Sequence, residues 1–208
     1  MSEAHSSSFW RAGAPLILAS KSAGRRQALA QAGVPFESLP ADVDERAIES
    51  RMGDVGADAI AAALARAKTL AVGAAAPGRL VLGADQAASC GERIFGKPET
   101  MENAAGLLRF LSGRRHRLHS AIALSRDGVI LYETVAHADL TLRPLSDAFI
   151  DAYLEAMGET ALTSAGAYQV EGLGAHLFDS VAGDHWTIMG LPMLPLLDAL
   201  RRLGALMA

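Results

Sequence analysis

Residues 118–125 and 129–142 are two long β-rich runs, and Asp127-Gly128 lies between them. Asp and Gly both accept the left-handed backbone of the tightest hairpin turns, whose twist matches that of the strands they join. The segment predicts one long antiparallel hairpin, so the rest of the chain has to be arranged around a sheet. Shorter apolar runs at residues 16–20 (LILAS), 36–39 and 80–84 have the composition of buried strands, and residues 176–179 add another. Helix patterns lie between them. Ser22 is placed to cap a helix running to about Ala32, with Gly33 as its stop. Residues 57–75 form a long Ala/Leu helix ended by Pro77 and Gly78, and residues 99–111 form a third. Ser146 caps a fourth that runs to Met157, and residues 193–206 close the chain as an amphipathic helix after Gly190-Leu191-Pro192. Residues 89–98 read as a turn and short hairpin. Strands and helices mix without strict βαβ alternation, which predicts an α/β fold with a mixed sheet. The expected organisation is a single domain over residues 14–208 after a flexible polar start at 1–13.

Composition removes several function classes. Half of the 208 residues are hydrophobic and 20% are charged, which is enough apolar surface for a packed core. A net charge of -4 gives no bulk attraction to nucleic acid or to an anionic membrane. The one cysteine, Cys90, excludes an internal disulfide framework and a multi-cysteine metal site. The start has no apolar core of a secretory signal, and no run reaches membrane-spanning length, so a cytoplasmic protein is expected. Of 19 cationic residues only Lys21, Lys68 and Lys97 are lysines, in a chain that otherwise uses arginine.

The candidate chemistry begins at residues 18–26, LASKSAGRR. A strand delivers the chain to a helix N-terminus, where open N–H groups and the positive end of the dipole favour an anion. Lys21, Arg25 and Arg26 crowd that turn against the dipole, a cost that a bound phosphate would offset. The Walker pattern is absent. Asp85 ends the apolar run VLGAD, where α/β proteins place working groups, and Glu45 lies with Asp42 and Asp44 in an acidic loop. Asp85 and Glu45 together could hold a nucleotide-bound magnesium ion, and Lys68 and Lys97 could neutralise phosphate oxygens. Each has a plain structural alternative: a turn cap for Asp85, a helix-start acid for Glu45, a snorkelling surface lysine for Lys68. Glu171 stands among glycines and apolar residues in AGAYQVEGLG, where Gly-Leu-Gly lacks the rest of a dinucleotide fingerprint. His116 and His119 lie in a basic strand-like stretch and do not read as a metal pair, and nothing near Cys90 activates it as a nucleophile.

Taken in order, these segments resemble the Maf family of nucleoside triphosphate pyrophosphatases. The motifs are LAS-x-S-x-x-R at 18–25, the acid of VDE at Asp44-Glu45, A-x-x-K at Lys68, GAD at 83–85, GKP at 96–98, SGRRH at 112–116, AGAY at 165–168, EGLG at 171–174 and GLP at 190–192. The resemblance implies a bent, elongated mixed sheet flanked by helices, with a deep cleft between two lobes, often in a homodimer. It implies hydrolysis of a nucleoside triphosphate to the monophosphate and pyrophosphate, dependent on a divalent cation, Mg2+ or Mn2+. Carried over by residue, Ser20, Ser22 and Arg25 match the phosphate-binding start and Glu45 a metal-side acid. Lys68 and Lys97 match the site lysines, and Asp85 the proton acceptor or metal ligand.

Gln86 after Asp85, and Glu171 before Gly172, resemble the branch acting on 7-methyl-GTP rather than the branch acting on dTTP and UTP. A carboxylate suits guanine because it accepts from both N1–H and N2–H, and N7 methylation makes the base cationic. Two positions depart from that branch: Gly24 stands where it carries tryptophan, and Ser164 where lysine often precedes AGAY. The alternatives are a dTTP/UTP pyrophosphatase and a non-catalytic regulator of septum formation. An intact Glu45/Lys68/Asp85/Lys97 set speaks against the latter, since buried charge without function is costly.

Overall fold

The computed structural model describes residues 9–208. The first strand, β1 (Leu16–Leu18), is buried on both faces. Leu16 and Leu18 belong to one apolar cluster and Ile17 to another. A continuous apolar run suits a strand covered on both sides, and its parallel neighbours are β2 (Phe36–Ser38) and β3 (Val81–Cys90). Beyond β3 come β4 (Arg93–Phe95), β5 (Arg115–Arg126), β6 (Val129–Leu142) and β7 (Phe178–Ala182). The seven strands form one mixed sheet flanked by helices, in the order β2-β1-β3-β5-β6-β7, with β4 paired on β3. Asp127 and Gly128 turn β5 into β6 with positive φ at both positions, as the hairpin pattern predicts.

The chain divides into two units, and β3, β5 and β6 each run from one into the other. The first holds residues 9–86, Ser120–Ala136 and His185–Ala208. Its helices are α1 (Ala23–Gln31), α2 (Glu45–Met52), α3 (Ala57–Gly73), α6 (His185–Ile188) and α7 (Met193–Arg202). Leu16, Leu18, Leu82, Leu124, Leu196 and Leu200 are fully buried in its main cluster. Each such side chain contributes about 1.5–3 kcal/mol. The first eight residues of the start expected to be flexible lie outside the described residues. Trp10, further along, bridges to Leu206 and packs on this cluster.

The second unit holds residues Ala87–His119 and His137–Asp184. Here β4 runs antiparallel to the end of β3, and β7 runs antiparallel to β6. Its helices are α4 (Met101–Leu111), capped by Thr100, and α5 (Asp147–Met157), capped by Ser146. Its core is partly aromatic: the His116 ring lies within 5.9 Å of Phe95 and 5.6 Å of Tyr168, and Tyr168 meets Phe178 edge-on at 4.9 Å.

The sequence pattern misplaces some elements. Asp42 and Asp44 lie in a loop as expected, but Glu45 opens α2, its helix-start alternative, because Asp44 accepts the Ala47 amide and caps the helix. The strand expected to end at Ala84 continues to Cys90, with β5 alongside it and β4 paired to its last three residues. The last helix stops at Arg202 rather than 206, where Gly204 takes positive φ. Short α6 was not foreseen. Among the described residues, no helix is long and apolar enough to cross a membrane.

Candidate active site

In the first unit, α3 rests directly on β3. The contact is closest at Gly83, where a Cβ would fall 2.1 Å from Thr69 Oγ1 and 2.3 Å from the Ala65 carbonyl oxygen. Only glycine permits that approach. Side chains two apart on a strand share a face, so Asp85 points the same way as Gly83, toward α3. Thr69 is buried and donates to the Ala65 and Ala123 carbonyls, and its neighbour Lys68 reaches Asp85. Lys68 Nζ lies 2.5 Å from Asp85 Oδ1 and 2.9 Å from Glu45 Oε1. Lys68 and Asp85 are both only 8% exposed, which disposes of the snorkelling alternative for Lys68. Glu45, on the first turn of α2, is exposed. Asp85 stands mid-strand, but the β1–β3 pairing is registered only at Val81 and Leu82. The carboxylate is thus still past the carboxyl end of the parallel strands.

Burial raises the Asp85 pKa above the ordinary carboxylate value, and this outweighs the opposing pull of Lys68 and Arg25. Arg25 shows the converse: burial lowers its pKa, against the attraction of Asp85 and Glu45. Its Nε donates to the Gly190 carbonyl at 2.9 Å. Its Nη1 donates to the Ala84 carbonyl at 2.8 Å and to Ser20 Oγ at 3.3 Å. A guanidinium has five N–H donors, and among the described residues no partner takes the two on Nη2. Ser22 caps α1, accepting the Arg25 amide, and its own amide donates to Ser20 Oγ. Gly24 sits in the first turn of α1 with room for a Cβ, whose nearest neighbour would be Met189 Cε at 3.5 Å.

Gln86 follows Asp85 and points to the opposite face of β3. Its Nε2 donates to Ser120 Oγ at 2.8 Å and to the Thr187 and Ile188 carbonyls, both at 3.1 Å. Ser120, Thr187 and the Gly190 carbonyl escaped the sequence analysis as parts of this region. GLP at 190–192 was the one signal that pointed there.

Lys97 and Glu171 belong to the second unit, and both are exposed. Lys97 follows β4. Glu171 lies in a turn, so its glycine-rich surroundings do not bury it. The segment that carries it is tied down at its start. Tyr153 Oη donates to the Ala167 carbonyl, Ser164 Oγ donates to the Tyr168 carbonyl, and Tyr168 Oη is hydrogen-bonded to His116 Nε2. Ser164, at the departure from the lysine of the resemblance, closes this turn. His119 Nε2 pairs with Ser89 Oγ, and Cys90 is half-buried with Sγ 3.5 Å from the Arg115 carbonyl.

The donor chemistry fits a divalent cation. Glu45 and Asp85 each direct one oxygen to the same ammonium, so two hard carboxylates serve one small region. Mg2+ and Mn2+ take such oxygen ligands together with water and phosphate.

Comparison with known proteins agrees over nearly the whole chain. Residues 15–203 match the family Maf, described as Maf-like protein. A protein of Rhodopseudomonas palustris named nucleoside triphosphate pyrophosphatase is 54% identical over 192 residues, 92% of this chain and 95% of its own. A protein of Rhizobium etli named 7-methyl-GTP pyrophosphatase is 52% identical over 193 residues, 92% of this chain and 97% of its own. The solved Staphylococcus aureus Ham1 protein shares 16% identity at a TM-score of 0.39, over 64% of this chain and 73% of that one. That likeness is too slight to bear on fold or function.

Proposed function

The chain belongs to the Maf family of nucleoside triphosphate pyrophosphatases, and from that premise we propose that it hydrolyses 7-methyl-GTP to the monophosphate and pyrophosphate. The observation that carries the chemistry is the Lys68 ammonium shared by Glu45 and Asp85, in a unit that also holds the Arg25 guanidinium with one open edge.

Water attacks the α-phosphorus, the bond from that phosphorus to the bridging oxygen breaks, and pyrophosphate leaves. Asp85 accepts the proton of the attacking water. Its raised pKa makes it a stronger base than an ordinary carboxylate. Lys68 stabilises charge on the phosphoryl oxygens and keeps Asp85 oriented. Arg25 presents its two Nη2 hydrogens to the leaving pyrophosphate, and Ser20 and Ser22 hold it there. The family resemblance alone supports Lys97 as a further cation for the phosphates. A divalent cation bound by Glu45 and Asp85 would neutralise phosphate charge and lower the pKa of the nucleophilic water.

Glu171 supports guanine, since its carboxylate can accept from both Watson–Crick donors. Gln86 at the position after Asp85, and the name of the Rhizobium etli relative, support the methylated form. The test is pyrophosphate release by the pure protein with Mg2+ or Mn2+ across 7-methyl-GTP, GTP, UTP, dTTP and CTP. The expected result is fastest turnover of 7-methyl-GTP, abolished by chelation. Preference for a pyrimidine would transfer the base assignment to the dTTP/UTP branch, and no turnover would remove the enzymatic reading.

A further inference from the structure

Gln86 does not have a free amide NH2 to offer a substrate. Its Nε2 has two hydrogens and three acceptors, at Ser120 Oγ and the Thr187 and Ile188 carbonyls. The reversed amide would set Oε1 against two carbonyl oxygens, so the orientation is determined by its surroundings. Ser120 is fully buried and spends its own hydrogen on the Thr187 carbonyl at 2.7 Å, leaving a lone pair for Gln86. The Thr187 carbonyl also accepts the Gly190 amide at 3.0 Å, which closes residues 187–190 into a tight turn. Gly190 sits in that turn at φ +84°, where a Cβ would come within 3.4 Å of the Arg25 guanidinium and 3.6 Å of Gln86 Cδ. The Gly190 carbonyl then receives Arg25 Nε.

We propose that Gln86 is a positioning residue: by clamping the 187–190 turn it fixes the carbonyl that aims Arg25, and so acts on phosphate transfer rather than by reading the base. The inference deepens the pyrophosphatase reading and rests on it for its kinetic consequences. A four-residue turn is short and hydrogen-bonded end to end, so loss of Gln86 from its first two carbonyls, which leaves Thr187 held by Ser120 and the Gly190 amide and frees Ile188, is felt at its last. Arg25 otherwise keeps only Ala84 and Ser20 as acceptors, both through Nη1. With Nε released, the guanidinium can pivot about Nη1 and its Nη2 edge loses its direction.

Gln86→Met keeps the side-chain length and removes the donor. Its expected effect is a fall of about tenfold in kcat on every nucleoside triphosphate, with KM within about threefold and the 7-methyl-GTP to UTP ratio unchanged. Arg25→Ala is expected to cost more, and the double variant no more than Arg25→Ala alone, because the two act as one unit. Ser120→Ala, at a buried site that cannot meet substrate, should show the same pattern in weaker form. A changed base ratio in Gln86→Met, or a double variant that falls by the product of the single effects, would overturn the proposal. A readout independent of turnover is the Arg25 Nε–H resonance in 15N NMR. It should be protected in the native protein and exchange about tenfold faster in Gln86→Met; unchanged exchange also overturns the proposal. Failure of the native protein to hydrolyse any triphosphate would sink the pyrophosphatase reading alone, with the exchange rate still deciding the role of Gln86.

Discussion

The two units bury ionisable groups by opposite means. In the first, Lys68 and Asp85 are sequestered as a pair with Glu45 alongside, and Arg25 lies close enough for its charge to act on Asp85. In the second, burial drives His116 down to about 4 and Tyr168 well above its usual range, so this hydrogen-bonded pair is neutral at pH 7. Charges that the second unit does keep are at its surface, where Asp139 is held far below the carboxylate range by hydrogen bonds from Arg117 and Arg115. A neutral pair packed among rings carries no charge to desolvate, although His116 Nδ1 is buried without a hydrogen-bond partner among the described residues. A charged cluster costs desolvation free energy that further charges on a ligand can offset. The contrast is one of charge: the first unit buries a cluster of charged groups, and the second buries a neutral pair.

The sharpest way to break this contrast is Asp85→Asn. Turnover should fall by about 10³-fold or more with the fold intact by circular dichroism, a loss of the size expected for a general base. The native enzyme should lose activity as pH falls through the raised Asp85 pKa, because the protonated acid cannot take the proton of water. An acid limb at or below pH 4, or an active well-folded Asn variant, would move the base elsewhere.

The next effect belongs to the second unit and to stability. Unfolded His116 takes a proton near 6.5 and the folded ring only near 4. Between those values the unfolded state holds the extra proton. The contribution is therefore full above pH 6.5 and is lost as pH falls toward 4, at about 3 kcal/mol in all. Urea titrations should show that loss in the native protein and a shallower slope in His116→Gln. Equal slopes would mean the ring is not what titrates.

Glu171→Gln should shift the 7-methyl-GTP to UTP ratio by about 10–100-fold toward UTP, since an amide sets a donor against a donor. A constant ratio would confine the second unit to structure. The smallest effect is Gly24→Ala, which should stabilise α1 by about 0.5–1 kcal/mol in thermal melts, because a Cβ there meets only Met189 Cε and Met189 O at ordinary contact distances and Ser22 Oγ just beyond. A fall in stability would show that the site needs the glycine itself.

Much of this was legible along the chain because the signals are local. Asp127-Gly128 determined a hairpin, Ser22 and Ser146 determined where helices start, and the apolar runs around Leu16 and Leu82 determined strands covered on both faces. Order of motifs alone pointed to the family, which the comparisons bear out. Other features depended on partners distant in sequence. Whether residues 85–90 are strand depended on β5 and, over 88–90, on β4, and whether Lys68 is a surface lysine depended on how closely Gly83 lets α3 approach. Tertiary structure also decided that Gln86 spends its amide on Ser120 and the 187–190 turn while its neighbour Asp85 faces Lys68. The physical reason is the same in each case. Propensity and capping act over three or four residues, whereas burial, pKa and hydrogen-bond satisfaction are properties of atoms brought together from opposite ends of the chain.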